Sequence, residues 1–429
     1  MKALISRKRI RPQRQASGLW GGRSALYLFV LALVLGCMLV CSSVITMPPE
    51  REQALPIPAL SVDVGYPPPL STPTPMPEEE SAALAAATPS PVLEEESEPE
   101  PEPAPEPEYF IIAMMGDCIL GSEHSAKGSY YAFETIVGSD YAYSFSLVRH
   151  LYEDADFVIV NLECTLTDYS VRQEKLFNFR GPPEYVNILV DGGVDFVALG
   201  NNHTIDYGSR GYDDTRETLS ANGVGFAENG GWSLSVTDRG LTIGVFSMDF
   251  PTISDVEKAV AELKDAGAEL IITALHWGEE GVYRPTESQK QLGRAAIDAG
   301  AHIVMGTHPH TLQPVEEYNG GVIYFSLANW VFGGNSNPLD KDSVIAKVII
   351  SRGVDGEISV FGMDNIPGSV SGSVSRNDYR PVPYDIGTVE YERVLSKLSG
   401  TFDGPDIGTS YREETLDSGD EDAANQPDG

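Results

Sequence analysis

The amino-acid sequence predicts an α/β domain, on three observations. Five largely apolar runs of strand length each stop at an Asp, Glu, Asn or His. Helix-like segments alternate with several of these runs, as layered α/β folds require. The segments on either side have compositions foreign to a water-soluble core, which confines the domain to residues 109–389.

From the N-terminus, residues 1–24 are basic, with Lys2, Arg7, Lys8, Arg9, Arg11, Arg14 and Arg23. Residues 25–47 are apolar nearly throughout and uncharged, long enough to cross a hydrocarbon core of about 30 Å. A cleavable signal has a shorter apolar core, about 7–15 residues, before a small-residue cleavage site. The reading is therefore an uncleaved, single-pass transmembrane anchor in the cell membrane. Its basic end lies in the cytoplasm and the domain on the extracellular side. A lipoprotein signal at Val34-Leu35-Gly36-Cys37 is the rival, opposed by the apolar residues that continue beyond Cys37. Residues 48–108 are rich in Pro, Glu and Ala and read as an extended, semi-rigid extracellular linker. Residues 390–429 end in Asp417, Asp420, Glu421 and Asp422 and read as an acidic disordered tail.

Within the domain, run 109–115 ends in Gly116-Asp117, and run 157–160 in Asn161-Leu162-Glu163. Run 194–199 leads into Gly200-Asn201-Asn202-His203, and run 270–275 into His276-Trp277-Gly278-Glu279. Run 302–305 leads into Gly306-Thr307-His308-Pro309-His310. Helix-like segments fall at 183–191, 209–221, 254–266 and 286–299. Runs 322–327, 343–351 and 357–363 lack helices between them and read as an antiparallel finish.

Ligands of open α/β sheets gather beyond the carboxyl ends of the strands. One Asp there is usually a helix cap and one buried His a satisfied core residue. Repetition favours a site: four of the chain's seven His residues (His203, His276, His308, His310) sit at these ends. Residues i and i+2 of a strand share a face, so His308 and His310 are expected to aim at one spot. Imidazoles, Asn and carboxylates together are a donor set for divalent metal, and so for metal-dependent hydrolysis.

The ordered set Gly116-Asp117 with Leu120-Gly121, Asn161-Leu162-Glu163, Gly200-Asn201-Asn202-His203 with Asp206-Tyr207-Gly208, His276-Trp277-Gly278 and Gly306-Thr307-His308-Pro309-His310 resembles the CapA family. That family is named for capsule poly-γ-glutamate synthesis and looks like a branch of the calcineurin-like metallophosphoesterases. Residues 175–183 and 324–330 are also similar to family signatures, and the resemblance covers residues 109–370. It implies a two-sheet αββα sandwich of metallophosphoesterase type, here behind an N-terminal transmembrane helix. By position it implies that Asp117 and His310 bind a first metal, that Asn202, His276 and His308 bind a second, and that Glu163 bridges them. His203 would be a non-ligand acid beside the leaving group, its ring oriented by Asp206. The cofactors would be one or two divalent ions of Mn, Fe or Zn type.

One departure matters. The superfamily's opening Asp-x-His is Asp117-Cys118-Ile119 here, and Ile119 cannot bind metal. Either Glu123 or His124 fills the gap from the next loop, or the first position is weak or empty. A binding role then competes with a catalytic one. Lys175 and Arg180 are candidate substrate-binding cations for an anionic polymer or phosphate, with solvated loop charges as the competing reading. Trp277 and Tyr207 either wall the pocket or simply pack.

The net charge of −34 argues against a general nucleic-acid binder. It would also repel polyglutamate at long range, so polymer binding would be local, through metal and a few cations. Three functions remain. The first is a membrane-anchored hydrolase or transferase in poly-γ-glutamate capsule synthesis or export, with the membrane and capsule polymer synthase subunits as partners. The second is a non-catalytic subunit that binds polymer or those partners. The third is a phosphoesterase acting on cell-wall or lipid phosphates. The chain has four cysteines, two of them (Cys37, Cys41) in the apolar span, so no disulfide framework is present. Cys118 and Cys164 each follow a predicted ligand on strands expected to be neighbours. A disulfide there is set against two separate buried thiols.

Overall fold

The computed structural model describes residues 106–408. The expected leader, the transmembrane anchor or lipoprotein signal, nearly all of the linker, and residues 409–429 lie outside the described residues. Among the described residues no helix is long and apolar enough to cross a membrane.

The strands, in chain order, are β1 (Glu108–Ile119), β2 (Phe157–Leu162), β3 (Thr165–Leu166), β4 (Arg180–Gly181), β5 (Phe196–Ala198), β6 (Gly225–Ala227), β7 (Gly231–Val236) and β8 (Thr242–Asp249). They continue with β9 (Leu270–His276), β10 (Ile303–Thr307), β11 (Val315–Tyr318), β12 (Gly321–Tyr324), β13 (Asn329–Phe332), β14 (Asp342–Arg352), β15 (Ile358–Ser369) and β16 (Val382–Pro383). One mixed sheet has the order β16-β15-β14-β1-β2-β5-β6, with β13 paired to the end of β1. The other has the order β11-β12-β10-β9-β8-β7.

Alternation along β1 shows how the layers form. Phe110, Ile112 and Met114 join Ile243, Val245, Ile272, Ile303 and Met305 of the second sheet in a shared core. Ala113 and Met115 turn to the opposite face, among Phe133, Ile188, Leu189 and Leu219 from the covering helices. A strand covered on both faces reads as a continuous apolar run, which is why 109–115 lacks polar alternation. On the second sheet's outer face lie the helices Ile253–Asp265 and Glu287–Ala299, each opened by a capping box, Thr252/Asp255 and Thr286/Gln289. Val256, Ala259, Val260 and Leu263 form the apolar stripe of the first of these. The result is four layers, helix–sheet–sheet–helix.

Parallel registers bring the strand ends level. Asp117 pairs with Asn161 and Asn161 with Ala198 in one sheet; Asp249 pairs with His276 and His276 with Thr307 in the other. The two ends meet where Gly200 N donates to Ser247 Oγ at 2.8 Å.

Two expectations are corrected. β14 and β15 are antiparallel, but β12 runs parallel to β10 and β13 parallel to β1. The finish is therefore mixed. β11 and β12 form an antiparallel hairpin at its start. The fold also continues past 389. The helix Val389–Leu398 buries Val394, Lys397 and Leu398, a stripe hidden in an acidic composition. Of the two alternatives for Cys118 and Cys164, the structure has separate, buried thiols. Cys118 pairs in register with Leu162, two residues short of Cys164. Burial raises both thiols, Cys164 to about 12.

His302 gives a test of the core. Its Nδ1 accepts from Ile271 N at 3.0 Å, and burial, then the charge of Lys264, pushes its pKa down to about 4. A depressed His pKa means the unfolded chain takes up the proton first, so stability falls as pH drops from 6.5 towards 4. The loss attributable to His302 is about 3 kcal/mol. His302→Asn keeps an acceptor without the titration. Denaturant unfolding from pH 7 to 4.5 should show a shallower acid loss in the variant, and equal slopes would refute this assignment.

Candidate metal centre

Asp117 sits where β1 narrows between β2 and β13. A Cβ on Gly116 would collide with the Ala328 carbonyl, and Asp117 N donates to that same oxygen at 2.9 Å. Only glycine permits this approach. The fully buried Asp117 carboxylate accepts from Asn161 Nδ2 at 2.7 Å and lies 3.2 Å from His310 Nδ1. Its other donor is His308 N, at 3.3 Å.

β10 stops at Thr307, so His308 and His310 do not converge by strand alternation as expected. They lie on a turn with φ of 95° and 55°, a region costly for non-glycine residues. The turn sends the rings, 6.1 Å apart, to two adjacent positions rather than one. Glu163, His276 and His308 form one cluster and Asp117, Glu163 and His310 the other; the ligand atoms within each lie within 4.8 Å of one another.

In the first cluster, His276 Nε2 lies 3.0 Å from Asn202 Oδ1, 3.1 Å from His308 Nδ1 and 3.4 Å from Glu163 Oε1. With the His276 Nδ1 proton given to Thr307 Oγ1, 2.9 Å away, Nε2 presents a lone pair to acceptors. Ligand bonds of about 2.0–2.2 Å give edges of about 2.8–3.1 Å in an octahedron and about 3.3–3.6 Å in a tetrahedron, a range that includes the spacings found here. Glu163 is fully buried, and neither of its oxygens has a hydrogen-bond donor. Such a carboxylate costs several kcal/mol unless a cation compensates it, so the donor set fits divalent metal.

Burial would raise Asp117, but the hydrogen bond and charge of His310, then His276 and Asn161, hold it below the usual carboxylate range. For His310, burial opposes protonation, but the charge of Glu163 and the bond to Asp117 raise its pKa to about 10.

His203 stands beside this site with its ring 4.4 Å from that of Phe179. Its Nδ1 lies 2.8 Å from Asp206 Oδ2, which also accepts from Phe179 N at 2.6 Å. Lys175 pairs with Asp206 Oδ1, approaches His203 Nδ1 at 3.2 Å and donates to Asn202 O at 2.8 Å. Lys175 is therefore built into the site. Arg180 is not: β3–β4 pairing directs it to the carbonyls of Tyr169 (3.0 Å) and Thr167 (3.4 Å). It lines a recess of about 150 Å³ with Lys127, Glu134, Thr167 and Asp168. Tyr207 is buried beneath its guanidinium, and Trp277 Nε1 donates to Phe325 O at 2.9 Å, so both pack.

Neither expected substitute for Ile119 joins the clusters. Ile119 is buried in the outer core opposite Phe332, His124 is exposed, and the Glu123 carboxylate caps Ser125.

Several residues of the site escaped sequence reasoning. Asn329 Oδ1 lies 2.8 Å from His310 Nδ1, and Asn201 Nδ2 donates to Asn161 Oδ1 at 3.1 Å. Asp249 closes β8 beside His276 and has a buried oxygen without a hydrogen-bond partner. Phe250, with φ 44°, sets its exposed ring edge-on to His308 at 5.2 Å. The signal for Asp249 was another apolar run ending in an acid, 242–249.

Fold and site together define a four-layer α/β sandwich whose strand ends carry a buried carboxylate–imidazole cluster suited to divalent metal. The chain belongs to the family described as bacterial capsule synthesis protein PGA_cap, whose model matches residues 111–334. It is 28% identical over 247 residues to the PGA biosynthesis protein CapA of Bacillus subtilis (strain 168), covering 51% of this chain and 64% of that protein. It is 28% identical over 260 residues to the capsule biosynthesis protein CapA of Bacillus anthracis, covering 52% and 60%. A relative in Mycobacterium tuberculosis, described as a probable polyglutamine synthesis accessory protein, is 27% identical over 210 residues, covering 41% and 55%. The chain thus spans less than two thirds of the length of each of these relatives. Among solved structures, the NAD nucleotidase of Haemophilus influenzae aligns with a TM-score of 0.36 at 11% identity, over 73% of this chain and 68% of that one. A purple acid phosphatase from yellow lupin aligns at 0.30 and 12%, over 61% and 54%. Likenesses at that level carry no argument about activity.

Proposed function

We propose that this protein is a membrane-anchored, extracellular CapA-like component of poly-γ-glutamate capsule synthesis or export, and that it is a metal-dependent hydrolase of metallophosphoesterase type. Family membership supports the capsule assignment. The observation that supports hydrolysis is Glu163, buried without a donor between two sets of imidazole and carboxylate ligands. Asn202, His276, His308 and Glu163 would hold one ion, and Asp117, His310 and Glu163 a second. Bound there, divalent metal supplies Lewis acidity and a water of lowered pKa. Lys175 fixes Asp206 and the Asn202 backbone, and Asp206 holds His203 Nδ1. His203 Nε2 is then the atom left to give a proton to a leaving group. Lys175 is also the cation assigned here to an anionic polymer or phosphate substrate, on its contacts with Asp206 and His203. The membrane and the capsule polymer synthase subunits are the proposed partners.

A second reading, a polymer- or partner-binding subunit without catalysis, is favoured by Ile119, which leaves the Asp117 position one ligand poorer. Metal analysis of the purified protein, followed by a screen of phosphodiester and γ-glutamyl substrates, separates the two. Stoichiometric metal with turnover supports the hydrolase; no metal and no turnover refute it. For topology, protease added to intact cells should release a fragment beginning within residues 48–108. A domain cut only after lysis would refute the extracellular orientation.

A further inference from the structure

The residues after Val389 lie outside the 111–334 family match, yet they reach the metal centre through a continuous set of bonds. The helix Val389–Leu398 is pinned by ion pairs. Lys397, buried, binds Asp340 Oδ2 at 2.6 Å and Asp342 Oδ2 at 2.8 Å, and Arg393 forks onto Asp342 at 2.6 and 2.7 Å. The Lys397 ammonium lies over the rings of Tyr283 (4.7 Å) and Phe402 (5.2 Å), which meet edge to face at 4.8 Å. Chain 401–408 then lies along loop 278–284. Tyr283 N donates to Asp406 Oδ1 at 2.9 Å, and Ile407 N to Gly281 O at 2.9 Å.

That loop in turn grips the histidine turn. Gly281 N donates to Pro309 O at 2.8 Å. The Val282 carbonyl accepts from Thr311 Oγ1 at 3.0 Å and Gln313 Nε2 at 2.8 Å. Pro309 lies between His308 and His310, whose positive φ angles need outside support.

We propose that residues 399–408 form a strap that positions loop 278–284 and, through Pro309, the ligands His308 and His310, with Asp406 as the positioning residue of the outermost link. This rests on the metal reading of the site. Residues that support ligands from behind commonly change metal affinity about 10–100-fold when altered. Asp406 is chosen for the test because its side chain is 40% exposed, so its removal does not hollow the core.

The experiment uses the full chain in detergent, as wild type, Asp406→Ala and Asp406→Asn. Mn²⁺ titrations give affinity, and hydrogen exchange without metal gives protection of the segment spanning the histidine turn. Asp406→Ala should bind Mn²⁺ about tenfold more weakly and exchange faster across 305–313. Asp406→Asn, which keeps the acceptor for Tyr283 N, should match wild type in both. Asp406→Ala indistinguishable from wild type in affinity and exchange overturns the strap, as does Asp406→Asn behaving like Asp406→Ala. If wild type binds no Mn²⁺ the metal reading fails separately, and the exchange comparison alone then decides for or against the strap.

Discussion

Glu163→Gln is expected to strip the protein of metal at both positions, with affinity lowered more than about 100-fold, since a ligand counts for more than a residue behind it. Glu163 belongs to both clusters, so its charge acts on both. Single losses elsewhere should be unequal. His310→Ala leaves Glu163, His276, His308 and Asn202 together and should retain about one ion per chain. His276→Ala leaves the Asp117 position, which has no imidazole where Ile119 stands, and should retain none. Metal analysis of the three variants after identical purification tests the order. Equal retention in His310→Ala and His276→Ala would refute the asymmetry. The pH dependence follows from His310, whose pKa in the metal-free protein is raised to about 10. Metal must displace that proton, so affinity at the Asp117 position should rise with pH until about 10. In the metal-free chain the same shift gives stability that is complete below pH 6.5 and lost as pH rises through about 10.

The strand ends were legible because burial on both faces leaves an uninterrupted apolar run with a polar residue at its stop. β1, β2, β5, β9 and β10 were read in this way, and Asp117, Glu163, Asn202, His203, His276, His308 and His310 at or just beyond their ends. β8 has the same pattern, an apolar run ending in Asp249, and it went unread. How the two histidines after β10 part company was not legible, since positive φ at His308 and His310 runs against local propensity, and the Pro309 between them is held by Gly281, remote in sequence. In sequence Arg180 reads either as a substrate cation, by its bidentate fork, or as a solvated loop charge. Yet pairing of Arg180 with Thr165 turns its side chain to carbonyls that no periodicity announces. The C-terminal helix was hidden for an energetic reason. Its buried positions include Lys397, and a buried lysine is acceptable only where partners such as Asp340 and Asp342, more than fifty residues earlier, compensate it.

His203→Ala is expected to leave metal content unchanged while lowering turnover about 10²–10⁴-fold, the range for loss of a positioned general acid. The geometry separates the two readouts. His203 lies in neither ligand cluster, whereas its backbone neighbour Asn202 places Oδ1 3.0 Å from His276 Nε2. Removing the imidazole leaves Asp206 its partners Lys175 and Phe179 N, so the carboxylate is not stranded and the fold should hold. Asn202→Ala should instead lose metal and turnover together. Lys175→Met adds a third arm: Asp206 would keep His203 but lose its cation, and binding of an anionic substrate should weaken with metal retained. Bound metal and polymer output, measured on the same preparations and strains, distinguish hydrolase from binding subunit. Full capsule output from His203→Ala, with metal bound, would exclude acid catalysis at His203 and leave the polymer-binding role, in which the ligand variants alone fail.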